Sequence, residues 1–298
     1  MSWYAPEIYP KTPKPQNPKT PFCFVKIEKM EKTIERIDNT SEDFEAKKTF
    51  NINIGILGHV DSGKTSLSKA LSTIGSTAGF DKSPQSKERG ITLDLGFSAF
   101  IVEIPEFMDK SKLEGYKYLQ ITLVDCPGHA SLMKTVIGGA SIIDYMILVI
   151  DASKGIQAQT SECIVLGELL MNKLCVVLNK IDLIEAEDIE EHNTKVAKMK
   201  SNLLKAFEKT KFESVKVVPV CANPKETTVE LDQGLDNLLY EILSDIKIPD
   251  RNSDSSSDDL LFSVDHCFRI KGHGGVMTGT VLKGKVQVGD KIEISKHI

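Results

Sequence analysis

Gly58-His59-Val60-Asp61-Ser62-Gly63-Lys64-Thr65 fits the pattern G-x-x-x-x-G-K-[ST], and its surroundings decide the fold. Residues 53–57 before it are apolar and β-branched, as a buried strand requires, and residues 64–72 after it read as a helix. A strand, a glycine turn and a helix in that order make a phosphate cradle. The glycines let backbone N–H groups turn inward, and the helix N-terminus adds partial positive charge. In such a cradle Lys64 reaches the β and γ phosphates and Thr65 offers its hydroxyl to magnesium. Gly58, His59, Val60, Asp61, Ser62, Gly63 and Ser66 complete the lining. From average residue usage, a chance match in a chain of 298 residues is on the order of 1%.

Beyond the cradle, apolar runs alternate with longer helical stretches, which predicts βαβ units around a mostly parallel, mixed sheet, an α/β fold. Strands are expected at 53–57, 95–104, 120–124, 145–150, 174–178 and 215–219, and helices at 64–72, 129–140, 157–171, 188–212 and 234–244. The second and third strands are joined only by the polar connection 105–117, so that pair is predicted to be antiparallel. Four segments follow from composition. Residues 1–50 read as an extended or disordered segment: six of the twelve prolines fall within the first 21 positions, and 27–48 is charged enough to form a helix without specifying a core face. Residues 51–248 form the nucleotide-binding domain, and the acidic, serine-rich run 249–259 a linker. In residues 260–298, strands at 261–270, 275–283 and 291–294 separated by glycine turns begin an antiparallel barrel that so few strands cannot close, as in a fragment of a longer protein.

Three further motifs follow the cradle in order. Asp125-Cys126-Pro127-Gly128 stands at the end of a predicted strand, where Asp125 can bind magnesium through water and Gly128 can bring its N–H to a γ-phosphate. Asn179-Lys180-Ile181-Asp182 follows the strand at 174–178. A carboxylate there can accept from both N1–H and the 2-amino group of guanine, donors that adenine lacks in that arrangement, which selects GTP over ATP. Cys221-Ala222-Asn223 sits where a further loop would close over the base. Between Lys64 and Asp125, Thr92 reads either as a second magnesium hydroxyl or as an ordinary strand-entry threonine. His129 reads either as the group that orients an attacking water or as a capping histidine.

Composition narrows the field. The chain is 41% hydrophobic with no apolar run long enough to cross a bilayer, and 37 basic against 42 acidic residues leave a net charge of -5. Binding to nucleic acid by bulk basicity is excluded, so an RNA partner would have to meet a local surface. Cysteines 23, 126, 163, 175, 221 and 267 are scattered, without Cys-x-x-Cys pairs, which argues against structural zinc and disulfides and for a reduced, cytoplasmic setting.

The five elements GHVDSGKT, ERGIT, DCPGH, NKID and CAN, in this order, resemble translational GTPases of the elongation factor Tu class. ERGITLDLGFS at 88–98, DCPGHASLMKTVIGGASIID at 125–144, LVIDASKGIQAQTSEC at 148–163 and VDHCFRIKGHGGVMTGTVLKG at 264–284 are more specifically similar to the selenocysteine-specific elongation factors of eukaryotes and archaea. The resemblance runs from about residue 51 to the end. It implies a GTP-hydrolysing factor that uses GTP or GDP with Mg2+ and delivers selenocysteinyl-tRNA to the ribosome at recoded UGA codons, with a further factor bound to an RNA element. It also implies catalytic roles for Lys64, Thr92 and His129, and a hydrophobic gate of Val60 and Ile91 that restrains His129. Asp265 and His266 match the family's aminoacyl pocket, where an imidazole suits an ionised selenol. Gly274-Gly275 departs from the glycine and threonine common there. Two alternatives remain: another tRNA-carrying factor, of the elongation factor Tu or initiation factor γ type, and a GTP-binding interaction module without turnover.

Overall fold

The computed structural model describes residues 34, 36–37, 48–73, 96–126, 142–224, 232–249, 260–270, 274–287 and 289–293. Seven strands form one sheet in the order β1-β3-β4-β2-β5-β6-β7. They are β1 (Arg36–Ile37), β2 (Thr49–Gly58), β3 (Gly96–Glu103), β4 (Tyr118–Asp125), β5 (Tyr145–Asp151), β6 (Leu174–Asn179) and β7 (Lys216–Val220). The strands from β4 to β7 run parallel to β2, whereas β3 is antiparallel to β4 and to β1. The antiparallel pair expected from the missing helix is therefore present, and the sheet is mixed as the pattern predicted.

Alternation along the strands divides the core in two. Ile52, Ile54 and Ile56 of β2, Tyr145, Ile147 and Val149 of β5, and Cys175 and Val177 of β6 pack on one face, under helices α1 (Lys64–Leu71) and α4 (Leu235–Asp245). Leu57, Met146, Leu148, Ile150, Leu174, Val176 and Leu178 pack on the other, under α2 (Ala158–Leu170) and α3 (Ile189–Phe207). Cover on both faces is why these strands read as nearly continuous apolar runs. The connection between β3 and β4 contributes buried Met108 and Leu113 to the first core, and Ile104 N–H closes it onto the Lys117 carbonyl at 3.1 Å.

Three sequence expectations are corrected. Arg36 and Ile37 are strand, not helix: they pair with Val102 and Ile101, because the open edge of β3 offers ladder partners that a solvated helix lacks. The helix expected at 188–212 ends at Phe207, where Thr210 N–H and Oγ1 both bond the Phe207 carbonyl and turn the chain so that Phe212 enters the core. Among the described residues, the third barrel strand is absent at 291–293. The helix expected at 129–140 lies outside the described residues.

A second sheet holds β8 (Leu261–Ile270) and β9 (Gly274–Lys283), antiparallel, with a register irregularity between Val264 and His266. A Cβ on Gly279 would overlap the Ser263 carbonyl oxygen, so β9 can approach β8 closely only at a glycine. Leu282 packs against the second core of the larger sheet.

Candidate nucleotide site

The strand order reverses direction at β2, which has β4 on one side and β5 on the other. In an open α/β sheet the crevice beyond the carboxyl ends of strands at such a point is where ligands bind. The motifs singled out from sequence stand at those carboxyl ends: Gly58 on β2, Asp125 on β4, Asn179 on β6, and Cys221 immediately after β7.

The loop from β2 to α1 is held by backbone conformations that suit glycine. Gly58 (φ 148°) and Gly63 (φ 92°) lie in the positive-φ half of conformational space. A Cβ on the first would overlap the Val149 carbonyl oxygen, and on the second the Asn179 side-chain amide. Asp61, with φ 61°, adopts the same half without being glycine. The loop is braced from three directions. Lys64 Nζ folds back to donate to the carbonyls of Gly58 (3.1 Å) and His59 (2.7 Å). Gln159 Oε1, at the start of α2, accepts from Val60 N–H at 3.0 Å. Asn179 Nδ2 donates to the Ser62 carbonyl at 2.9 Å.

Thr65 Oγ1 donates to Asp125 Oδ2 at 2.6 Å, joining the first turn of α1 to the end of β4. Asp125 is 3% exposed, and among the described residues its other oxygen, Oδ1, has no partner. Burial holds its carboxyl above the usual range against the opposing pull of the Thr65 bond and Lys64. Burial likewise holds Lys64 below the usual lysine range, opposed by Asp125. His59 is held low by burial, then by Lys154 and Lys64. Ser62 Oγ and His59 Nδ1 are also buried without partners among the described residues. The site thus collects an ammonium, a loop whose glycines leave room for an oxyanion, and an unsatisfied carboxylate oxygen beside a hydroxyl. Those groups fit a phosphate with a hard divalent cation. Among the described residues no cluster of three or more His, Cys, Asp or Glu could hold a metal.

The third strand end is built around Asn179, Lys180 and Asp182. Asn179 is 1% exposed and spans two loops: Nδ2 holds Ser62, and Oδ1 accepts from Ala222 N–H at 3.2 Å. Lys180 is left-handed (φ 62°), and its Nζ donates to the Asp61 carbonyl and to Asp151 Oδ2 at 2.8 Å. Burial pushes the Asp151 carboxyl up, but Lys180 and Ser153 outweigh it and hold the group below its usual range. Asp182 is the middle residue of the short 3-10 turn Ile181–Leu183. Beneath it lies the buried Cys221, whose thiol is pushed up to about 12 by burial and by its hydrogen bond to the Asp182 carboxylate. Ala222 is half-buried and Asn223 exposed.

Thus Gly58 to Ser66, Asp125, Asn179, Lys180, Asp182 and Cys221 to Asn223 converge on one end of the sheet. Ile91, Thr92, Gly128 and His129 lie outside the described residues. Asp265 and His266 fall on β8 of the second sheet, at its irregularity. Sequence reading missed Gln159 and Asp151: both stand in local contexts that resemble ordinary helix and turn residues, and their partners are 99 and 29 positions away.

Comparison with known proteins identifies the family. Residues 49–247 match the family described as elongation factor Tu GTP binding domain. The chain is 52% identical over 252 residues to the selenocysteine-specific elongation factor of Mus musculus, covering 84% of this chain and 42% of that protein. It is 40% identical over 244 residues to the selenocysteine-specific elongation factor of Methanocaldococcus jannaschii, covering 82% and 46%. The chain therefore spans less than half the length of these curated relatives. Among solved structures it is similar to translation elongation factor SelB from Methanococcus maripaludis in complex with the GTP analogue GppNHp (TM-score 0.56, 32% identity, 82% of this chain and 44% of that one). It is also similar to a bacterial selenocysteine-specific elongation factor (TM-score 0.58, 28% identity, 80% and 36%).

Proposed function

Because this chain belongs to the family of the elongation factor Tu GTP-binding domain, we propose that it binds GTP and GDP with Mg2+ at the crevice above β2, hydrolyses GTP, and forms the switch of a factor that delivers selenocysteinyl-tRNA to the ribosome at recoded UGA codons. The carrying observation is the convergence of Lys64, Thr65 and Asp125 with Asn179, Asp182 and Cys221 on one end of the sheet. The selenocysteine-specific reading draws its support from the 52% identity to the mouse factor.

In this reading the inward N–H groups of residues 58–65 take the phosphates, and Lys64 exchanges its carbonyl partners for β and γ oxygens. Thr65, Asp125 (through water) and Thr92 hold Mg2+, which when bound neutralises charge developing between the β and γ phosphates. The Asp182 carboxylate accepts from guanine N1–H and its 2-amino group. Cys221 donates to the same carboxylate and fixes its direction, while Ala222 and Asn223 close the loop. Gly128 contacts the γ-phosphate and so couples nucleotide state to shape. His129 orients the attacking water once the ribosome engages, and Val60 and Ile91 gate it beforehand. Intrinsic turnover is then slow and ribosome-stimulated. Asp265 and His266 belong to the pocket for the aminoacyl selenol, and a recoding factor bound to an RNA element is a further partner. No described helix is long and apolar enough to cross a membrane, and a cytoplasmic setting follows from the proposed ribosomal partner.

Displacement of a fluorescent guanine nucleotide by GTP, GDP and ATP, with Mg2+ and then with chelator, tests the binding step. Guanine-selective, Mg2+-strengthened binding is expected; a folded sample that binds ATP equally, or binds nothing, defeats the proposal. Phosphate release over many turnovers with ribosomes then separates a GTPase from a binding module.

A further inference from the structure

The far end of the phosphate-loop helix is closed by a residue from outside the matched family region, which begins at residue 49. An α-helix leaves its last four carbonyls without intrahelical partners. In α1 these belong to Ser68, Lys69, Ala70 and Leu71. Ser72 N–H bonds the Ser68 carbonyl at 3.0 Å, and Ser72 Oγ reaches the Lys69 carbonyl at 3.4 Å. The remaining two are both taken by Arg36 Nη1, at 2.8 Å to Ala70 and 2.9 Å to Leu71. A guanidinium there also opposes the partial negative charge of the helix end.

The same short segment completes the sheet. Arg36 and Ile37 pair with Val102 and Ile101 of β3, and Ile34 packs against the first core. β3 is in turn tied to α1: Ser98 Oγ and Ser68 Oγ share a buried hydrogen bond of 2.7 Å, and Thr73 N–H donates to the Ala99 carbonyl at 3.0 Å. β1, β3 and α1 therefore form a closed hydrogen-bonded triangle. α1 is its functional arm, because Lys64 and Thr65 open that helix. With only eight residues, α1 depends on tertiary contacts at both ends to remain helical. The strap itself is a weak element, since Arg36 is exposed and its ladder spans two residues.

We propose that Ile34, Arg36 and Ile37 act as a releasable strap on the nucleotide site: docked, they cap α1 and slow nucleotide release, and undocked they loosen the helix that carries Lys64 and Thr65. This rests on the nucleotide-binding reading above, and two readouts keep them apart. In the full chain, Arg36→Ala and Ile37→Pro, the latter removing one of the two backbone N–H groups of β1, are compared with wild type by deuterium exchange and by the dissociation rate of a fluorescent GDP. Both variants are expected to lose exchange protection along the outer edge of β3 and at Ser72 and Thr73. Both should also speed GDP release by roughly tenfold, the scale of one charge-assisted hydrogen bond. The double variant should add little, as befits residues of one unit, and Arg36→Lys should fall between. Unchanged protection in both single variants overturns the strap, and changed protection with unchanged release overturns its control of the nucleotide. If the wild type binds no GDP, the function proposed above fails, and with it the control of release, while docking is still judged by the exchange data.

Discussion

Asn179 holds the Ser62 carbonyl with its amide nitrogen at 2.9 Å and receives Ala222 N–H on its amide oxygen at 3.2 Å, so one buried side chain bolts two loops to the end of β6. It is the first residue of the stretch expected to read the base, yet in this structure its bonds are to protein.

Asn179→Ala should therefore destabilise the nucleotide-free chain. It strands a buried carbonyl and a partly buried N–H, at about 1–3 kcal/mol, or ~2–4 °C per kcal/mol for a domain of this size. Thermal unfolding without nucleotide checks this, and an unchanged midpoint would mean that the bridge is ornamental.

Asp125 gives a pH-dependent prediction. Its folded carboxyl is held above the ordinary range by burial, so between the ordinary and the raised value the folded state binds more protons than the unfolded. Its ionisation therefore costs stability above the raised value, and the cost disappears as pH falls below the ordinary one. Asp125→Asn should make the nucleotide-free protein more stable at neutral pH, by on the order of 1 kcal/mol, with the advantage shrinking on acidification. The same variant should weaken Mg2+-dependent GTP binding. Parallel stability curves for the two proteins across acid pH would contradict the assignment.

Asp182→Asn exchanges an acceptor for a donor at the proposed base contact. GTP affinity should fall by roughly 100-fold or more and xanthosine triphosphate should gain, as competition with a fluorescent nucleotide would show. If GTP affinity is unchanged, Asp182 does not read the base.

His129→Ala should leave GDP and GTP affinity nearly intact while removing ribosome-stimulated phosphate release, a loss of about 10²–10⁴ for a positioned general base. Single-turnover hydrolysis measures it, and wild-type rates would make the histidine a bystander.

Much of this arrangement is legible in the sequence, for an identifiable reason. The turn at 58–65 is encoded by contiguous residues whose backbone needs are local: Gly58 and Gly63 stand where a Cβ would overlap Val149 and Asn179. The mixed sheet was legible because no helix separates the strands now seen as β3 and β4. The tertiary structure corrected the reading where local pattern was silent. Arg36 and Ile37 lie in a charged stretch without periodicity, and only the vacant edge of β3 makes them a strand.

What the sequence by itself determined is the chemistry at each strand end and the order in which those ends occur, since motif spacing and alternation are properties of neighbouring residues. Only the tertiary structure decided how those ends brace one another. Gln159 on the Val60 amide, Lys180 on Asp151, the Thr65 hydroxyl on Asp125 and the Arg36 cap on α1 join residues far apart in the chain. Hydrogen bonds and burial depend on distance in space, and no local pattern of side chains records which remote partner the fold will bring within 3 Å.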